Sequence, residues 1–243
     1  MTPKSQPTKP MHLFFRLLPV VLVLFTAIQV QGQTLVINKG ALIAIKPGAE
    51  VIVRTGTFDN DEGTLDNAGR LIIEEDFINS DTANGGNTTG RYEVQRHWEN
   101  NGVFDADSST VDLYGANQLI TGTSVTEFHI LNLLGTGIKT QTIDARVNSF
   151  LNLNDRELAT DTNRMFVLNA IPGAVTKTPG PLGFVSSLGN GRLVRELASP
   201  NVYVFPLGSS VGTQRYRPVE VEPANSLNQT VEARLANVDA TTE

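Results

Sequence analysis

The chain has no cysteine, one tryptophan and three histidines among 243 residues. Without cysteine it can form no disulfide staple and carry no lipid on a cysteine. Helical periodicity is scarce as well: beyond residue 33, apolar residues do not recur at three- and four-residue spacing over any useful length. Long apolar runs are limited to LLPVVLVLFTAIQV, Leu17 to Val30, which follows Lys4, Lys9 and Arg16 with no acidic residue nearby. A spanning helix needs about 20 apolar residues. The run therefore reads as a signal peptide over residues 1–32, with small residues before a cut ahead of Gln33.

Removing that segment takes away three of 19 basic residues and none of 25 acidic ones, leaving 16 against 25 and a net charge of −9. A phosphate backbone demands a basic footprint, so nucleic acid is excluded as a partner. The remainder is long enough to bury a sizeable core. It is expected to lack a transmembrane span and to reside outside the cell or on the extracellular face of its surface.

What the chain does have is short Val, Ile, Leu and Phe runs between clusters of Gly, Asn, Asp and Thr, an all-β signature. VIVRTGTFDN (51–60), LIIEEDFIN (71–79) and YEVQRHWEN (92–100) share one plan: an apolar strand, a polar stretch, an aromatic, one spacer and an asparagine. Phe58, Phe77 and Trp98 are 19 and 21 residues apart, and so are Asn60, Asn79 and Asn100. A period of about 20 residues indicates a solenoid whose coils cannot bury an apolar face alone. In it the aromatics would stack inside and the asparagines would bond to one another through their amides. The competing account makes the asparagines exposed turn residues.

Strand material continues through STVDLYG, TEFHILNL, NSFLNLN and MFVLNA. After Phe184 the phase changes: GNG (189–191) signals a hairpin, and RLVREL, VYVFPLG, YRPVEVE and TVEARL alternate in period two. The expected architecture is an all-β, right-handed parallel β-helix over 33–188, followed by a partial antiparallel β-sandwich-like module over 189–243. That module has few strands, so the chain is expected to be part of a longer protein.

Trp98–Phe104 (WENNGVF), Ser109–Gly115 (STVDLYG), Gln118–Gly122 (QLITG) and Phe128–Leu133 (FHILNL) together resemble the β-helix repeats of surface and secreted proteins from gliding gram-negative bacteria, many exported by the type IX route. GRLVREL, YVFPLG and YRPVEV resemble the segment that follows those repeats. Type IX substrates usually end in a sorting domain, and nothing after Leu235 resembles one. The resemblance implies an outer-membrane or secreted location and a structural, adhesin-like scaffold contacting glycans or surface proteins. The rival is a polysaccharide lyase or glycoside hydrolase on the same fold, since fold does not decide function.

Catalytic motifs are poor. GSSVG (208–212) matches the nucleophile pattern around Ser210, but a strand-like segment follows it where a helix is required, and no histidine lies downstream. The reading is therefore no enzyme and no cofactor. Calcium is considered at FDNDEG (Asp59, Asp61) and FDADSS (Asp105, Asp107), yet the loop grammar fails because glycine falls fifth in DNDEG. Asp81–Ala83 (DTA) resembles an O-glycan acceptor of such bacteria, with Thr82 as the acceptor. In TEFHILNL, Phe128 should face inward, and Glu127 and His129 should share the outer face.

Overall fold

The structure is a computed structural model that describes residues 34–236, apart from Thr88 and Leu188. Residues 1–32, read above as a signal peptide, lie outside the described residues.

The first coil sets the pattern with β1 (Thr34–Asn38), β2 (Leu42–Ile45) and β3 (Glu50–Val53). Each strand begins a different sheet: eight strands starting at β1, four starting at β2 and ten starting at β3. Every pairing between successive coils is parallel, and the result is a β-solenoid of about seven stacked coils. Short strands suffice because each residue bonds to the coils on both sides, about 4.8 Å away.

The period-two alternation determines what is inside. Phe58, Phe77 and Trp98 lie in direct register and are fully or almost fully buried. Ring centroids are 6.2 Å apart for Phe58–Phe77 and 4.4 Å for Phe77–Trp98. The four-stranded sheet stops at Val103–Asp105. There the eight-residue strand Thr126–Leu133 brings Phe128 within 6.3 Å of Phe104 and 5.4 Å of Trp98. The register with the next strand, Ala145–Asn152, shifts here: a step of two residues from Phe128 to Ile130 opposes a step of three from Val147 to Phe150, a bulge in that neighbour.

The expected change at residue 189 needs correction. GNG is no hairpin: Arg192–Leu197 pairs in parallel with Arg164–Val167 and so continues the solenoid. Period two reports which faces are buried but not the direction of the partner strand, so the alternation of RLVREL fitted either arrangement. Antiparallel pairing begins after Leu197. Gln229–Ala233 pairs with Arg192–Leu197, Tyr203–Phe205 with Val219–Val221, and Gly208–Ser209 with Arg215–Tyr216.

Arg195 anchors this last part to the solenoid. Its buried guanidinium donates to the carbonyls of Val204 (2.6 Å), Ile171 (3.1 Å) and Pro172 (2.8 Å), between the rings of Tyr203 and Phe205. Burial pushes its pKa down to about 10.

Candidate functional site

Strand alternation places Leu119, Ile138, Thr140, Glu157 and Ala159 on the outer face of the eight-stranded sheet, while Gln118, Lys139, Gln141 and Leu158 point inward. The antiparallel pair Gly208–Ser209 and Arg215–Tyr216 folds over the end of this face. Gly208 rests on the Phe184 ring, where a β-carbon would come within 2.5 Å of Cγ. The sheet and this overhang form three adjoining hollows that share Ile138 as floor. One of about 320 Å³ is lined by His97, Asn117, Leu119 and Thr140. A second of about 210 Å³ is lined by Thr140, Glu157, Ala159, Asp161, Ser186 and Ser209 to Val211. The third, about 200 Å³, adds Asp155, Leu182 and Gln214.

The groove has an apolar floor and polar walls. Glu157 accepts a hydrogen bond from Ser186 Oγ at 2.5 Å. The Asp161 carboxylate has no hydrogen-bond or ion-pair partner among the described residues, whereas its backbone carbonyl takes the amides of Gly189 (3.2 Å) and Gly191 (2.7 Å). Asp155 is held below the usual carboxylate range by Arg156. At the other end His97 Nδ1 accepts the Leu119 amide at 3.1 Å, so the ring proton resides on Nε2. This donor and acceptor set can hold hydroxyl groups over an apolar base.

Beneath the floor Lys139 is fully buried, with Nζ donating to the carbonyls of Gly115 (2.9 Å), Ala116 (2.8 Å) and Thr136 (3.2 Å) and to Gln118 Oε1 (2.7 Å). Gln118 in turn donates to the carbonyl of Val94 at 2.9 Å. Together they tie three coils at one corner. Burial lowers the Lys139 pKa to about 8.

Another hollow, of about 440 Å³, lies elsewhere, at the turn Pro47 to Glu50. Its arginines are engaged: Arg70 with Glu93 at 2.7 Å and with Glu50, and Arg91 with Glu93 at 3.0 Å and with Asp112.

The sequence-derived residues fall as follows. Asn60, Asn79 and Asn100 are buried and bond head to tail, Asn60 Nδ2 to Asn79 Oδ1 and Asn79 Nδ2 to Asn100 Oδ1, both at 2.9 Å. Asn38 adds a rung, donating to Asn60 Oδ1 at 2.8 Å. It was missed because its strand carries Val36 in the aromatic slot; relaxing that slot to any apolar residue would have found it. The ladder stops at Gly122, whose φ of 125° and near contact with the Asn100 carbonyl leave no room for a side chain.

Thr82 opens the three-residue strand Thr82–Asn84 of the four-stranded sheet, half-buried, with Oγ1 donating to Asp81 Oδ1 at 3.2 Å. Asp61 pairs with Lys39 at 3.1 Å, while Asp105 and Asp107 accept turn amides at 3.2 and 2.8 Å. Burial and the neighbouring Asp61 raise the Asp59 pKa. Among the described residues no group of three or more His, Asp or Glu side chains converges as a metal site would require. Phe128 is fully buried and Glu127 and His129 are half-buried, Glu127 accepting from Asn148 Nδ2 at 2.8 Å. Ser210 lies in the loop of the overhanging strand pair and lines the groove wall.

A second amide column on the ten-stranded sheet also escaped the sequence reading. Asn132 donates to Asp112, Asn152 to Asn132, and Thr176 to Asn152, each at 2.6 Å. The shared pattern of an apolar residue on either side of Asp or Asn, in VDL, LNL and LNL, was its signal. No family model, curated protein or solved structure matches this chain.

Proposed function

We propose that the chain is a secreted or cell-surface, adhesin-like scaffold that holds a glycan in the groove on its eight-stranded sheet. The observation that carries this reading is the lining: apolar Leu119, Ile138 and Ala159 flanked by Thr140, Glu157, Ser186 and Ser210. Pyranose rings present an apolar face and a hydroxyl rim, and a largely preformed cleft with few placed polar groups suits them. The parallel coils repeat at about 4.8 Å, so similar hydrogen-bonding positions recur along the groove, as the sugars of an extended chain do. A solenoid supplies the extended, rigid support that an adhesin needs. The export signal and the resemblance to type IX surface proteins point to the same compartment. Thr82, half-exposed on another face, fits an acceptor of O-linked sugar in that setting.

The test is a glycan array with wild type, Glu157→Gln and Thr140→Trp. The substitutions remove one acceptor and fill the second hollow, respectively. Both are expected to weaken binding at least about tenfold, the effect of losing roughly 1.4 kcal/mol, with melting unchanged. Wild-type binding in both variants refutes the groove.

A polysaccharide-cleaving enzyme is the second reading, favoured by Glu157 and Asp161 lining one hollow. Paired carboxylates are what glycoside hydrolysis uses. New reducing ends or unsaturated products from a bound glycan, abolished by Glu157→Gln, would establish it over the scaffold.

A further inference from the structure

The two ends of the solenoid differ. At the C-terminal end, Gln229–Ala233 and the pair Tyr203–Phe205 with Val219–Val221 cross antiparallel over the last coils. At the other end β1, β2 and β3 are each the outermost strand of their sheet among the described residues, so three backbone edges are unpaired. The apolar cross-section is open there too. Val51, in register with fully buried Leu71, is 38% exposed, and Val36 and Ile43, in register with Phe58 and Leu65, are only half-buried. Leu35 (55%), Ile37 (49%) and Leu42 (68%) are exposed around them. Terminal coils of solenoids normally carry a polar outer face, and unprotected edges recruit other strands.

We infer that this end binds a second copy of the chain, head to head, about a two-fold axis through Val36. Such an axis, perpendicular to the solenoid, sets β1 antiparallel to the partner's β1 and sets β2 antiparallel to the partner's β3. The two strands of the latter pair are each four residues long.

The side chains fit that register throughout. Ile45 meets Val51 and Ile43 meets Val53, all inward positions by their pairing with the second coil, and Ala44 meets Ile52, both outward. Leu35 meets Ile37 beside the central Val36 pair. Lys46, just after β2, then faces Glu50 at the start of the partner's β3, and the symmetry makes this contact twice. Lys46 has no ion partner among the described residues, while Glu50 shares Arg70 with Glu93 and can take a second cation. The interface is isologous and closed, so it leaves no edge to propagate.

The absence of cysteine makes the test clean. Directly opposed residues of antiparallel strands have Cα atoms about 4.5–5.5 Å apart, within the disulfide range of about 4.4–6.8 Å. Val36→Cys is therefore expected to give a covalent dimer on mild oxidation, while Val219→Cys at the opposite end gives none. Light scattering on the exported protein should report a dimer. Lys46→Glu should raise its dissociation constant about tenfold by turning two attractions into repulsions, and Lys46→Glu with Glu50→Lys should restore it. Intact mass shows whether residues 1–32, the competing cover for this edge, are retained. A monomer in either form, or cross-linking equal for the two cysteine variants, overturns the proposal.

Discussion

Asn79→Asp probes the buried amide ladder most directly. Asn79 is fully buried; its Oδ1 accepts from Asn60, and its Nδ2 donates to Asn100 Oδ1 and the Val103 carbonyl at 2.9 Å and to the Asp81 carbonyl at 3.4 Å. The substitution replaces that nitrogen by an oxygen facing three oxygens. The two acceptors at 2.9 Å lose a close donor, at about 1–3 kcal/mol each when left buried. A buried charge without a partner costs about 3–5 kcal/mol in comparable cases. These terms overlap, because protonation or a small shift relieves both, so the net loss at pH 7 is about 3–5 kcal/mol. For a chain of this size that is on the order of 10 °C in Tm.

The sign with pH follows from linkage. Burial raises the folded-state pKa of the new carboxyl above its unfolded value, so the native state holds the proton to higher pH. The deficit is therefore largest near neutrality and shrinks as pH falls through the folded value toward about 4. Urea unfolding followed by Trp98 fluorescence suits the assay, since the only tryptophan lies 4.4 Å from Phe77 in the same coil stack. A variant within about 0.5 kcal/mol of wild type at pH 7, or a deficit that ignores pH, would refute the ladder's energetic role.

Two further outcomes follow from the packing. Phe128→Ala should cost about 3–5 kcal/mol through lost burial and a cavity, whereas His129→Ala, half-buried on the outer side, should change stability by less than about 0.5 kcal/mol; equal effects in chemical denaturation would contradict the inward assignment. Lys139, with its folded pKa lowered to about 8 from 10.5, binds its proton less tightly folded than unfolded, so wild type should gain stability relative to Lys139→Met as pH rises from about 8 toward 10.5. A difference between the two that stays flat across that window would mean the four oxygens around Nζ fully offset its burial.

The solenoid was legible because its coils repeat chemistry at one spacing. Phe58, Phe77 and Trp98, with an asparagine two residues after each, mark the same slot in successive coils, and parallel in-register pairing follows from a repeat that no single coil can bury. The inward Phe128 and outward His129 were legible from alternation alone. The direction of the strand pairing at Arg192–Leu197 was not, because buried alternation is identical in parallel and antiparallel partners. Only the three-dimensional path placed that strand beside Arg164–Val167.

The groove was invisible for a related reason. Ile138, Glu157, Ser186 and Ser210 are separated in sequence by strands, corners and an antiparallel excursion, and no local spacing connects them. Nothing in the sequence marked Lys139 and Arg195 as buried, because apart from Gln118 their hydrogen-bond partners are backbone carbonyls, which leave no mark in side-chain composition. Sequence by itself determined the repeat, its inward slots and the acidic balance of the chain, since each depends on residue type at short range. Tertiary structure decided which outer positions converge, where the parallel stack ends and which edges are unpaired among the described residues, because those depend on where distant coils meet in space.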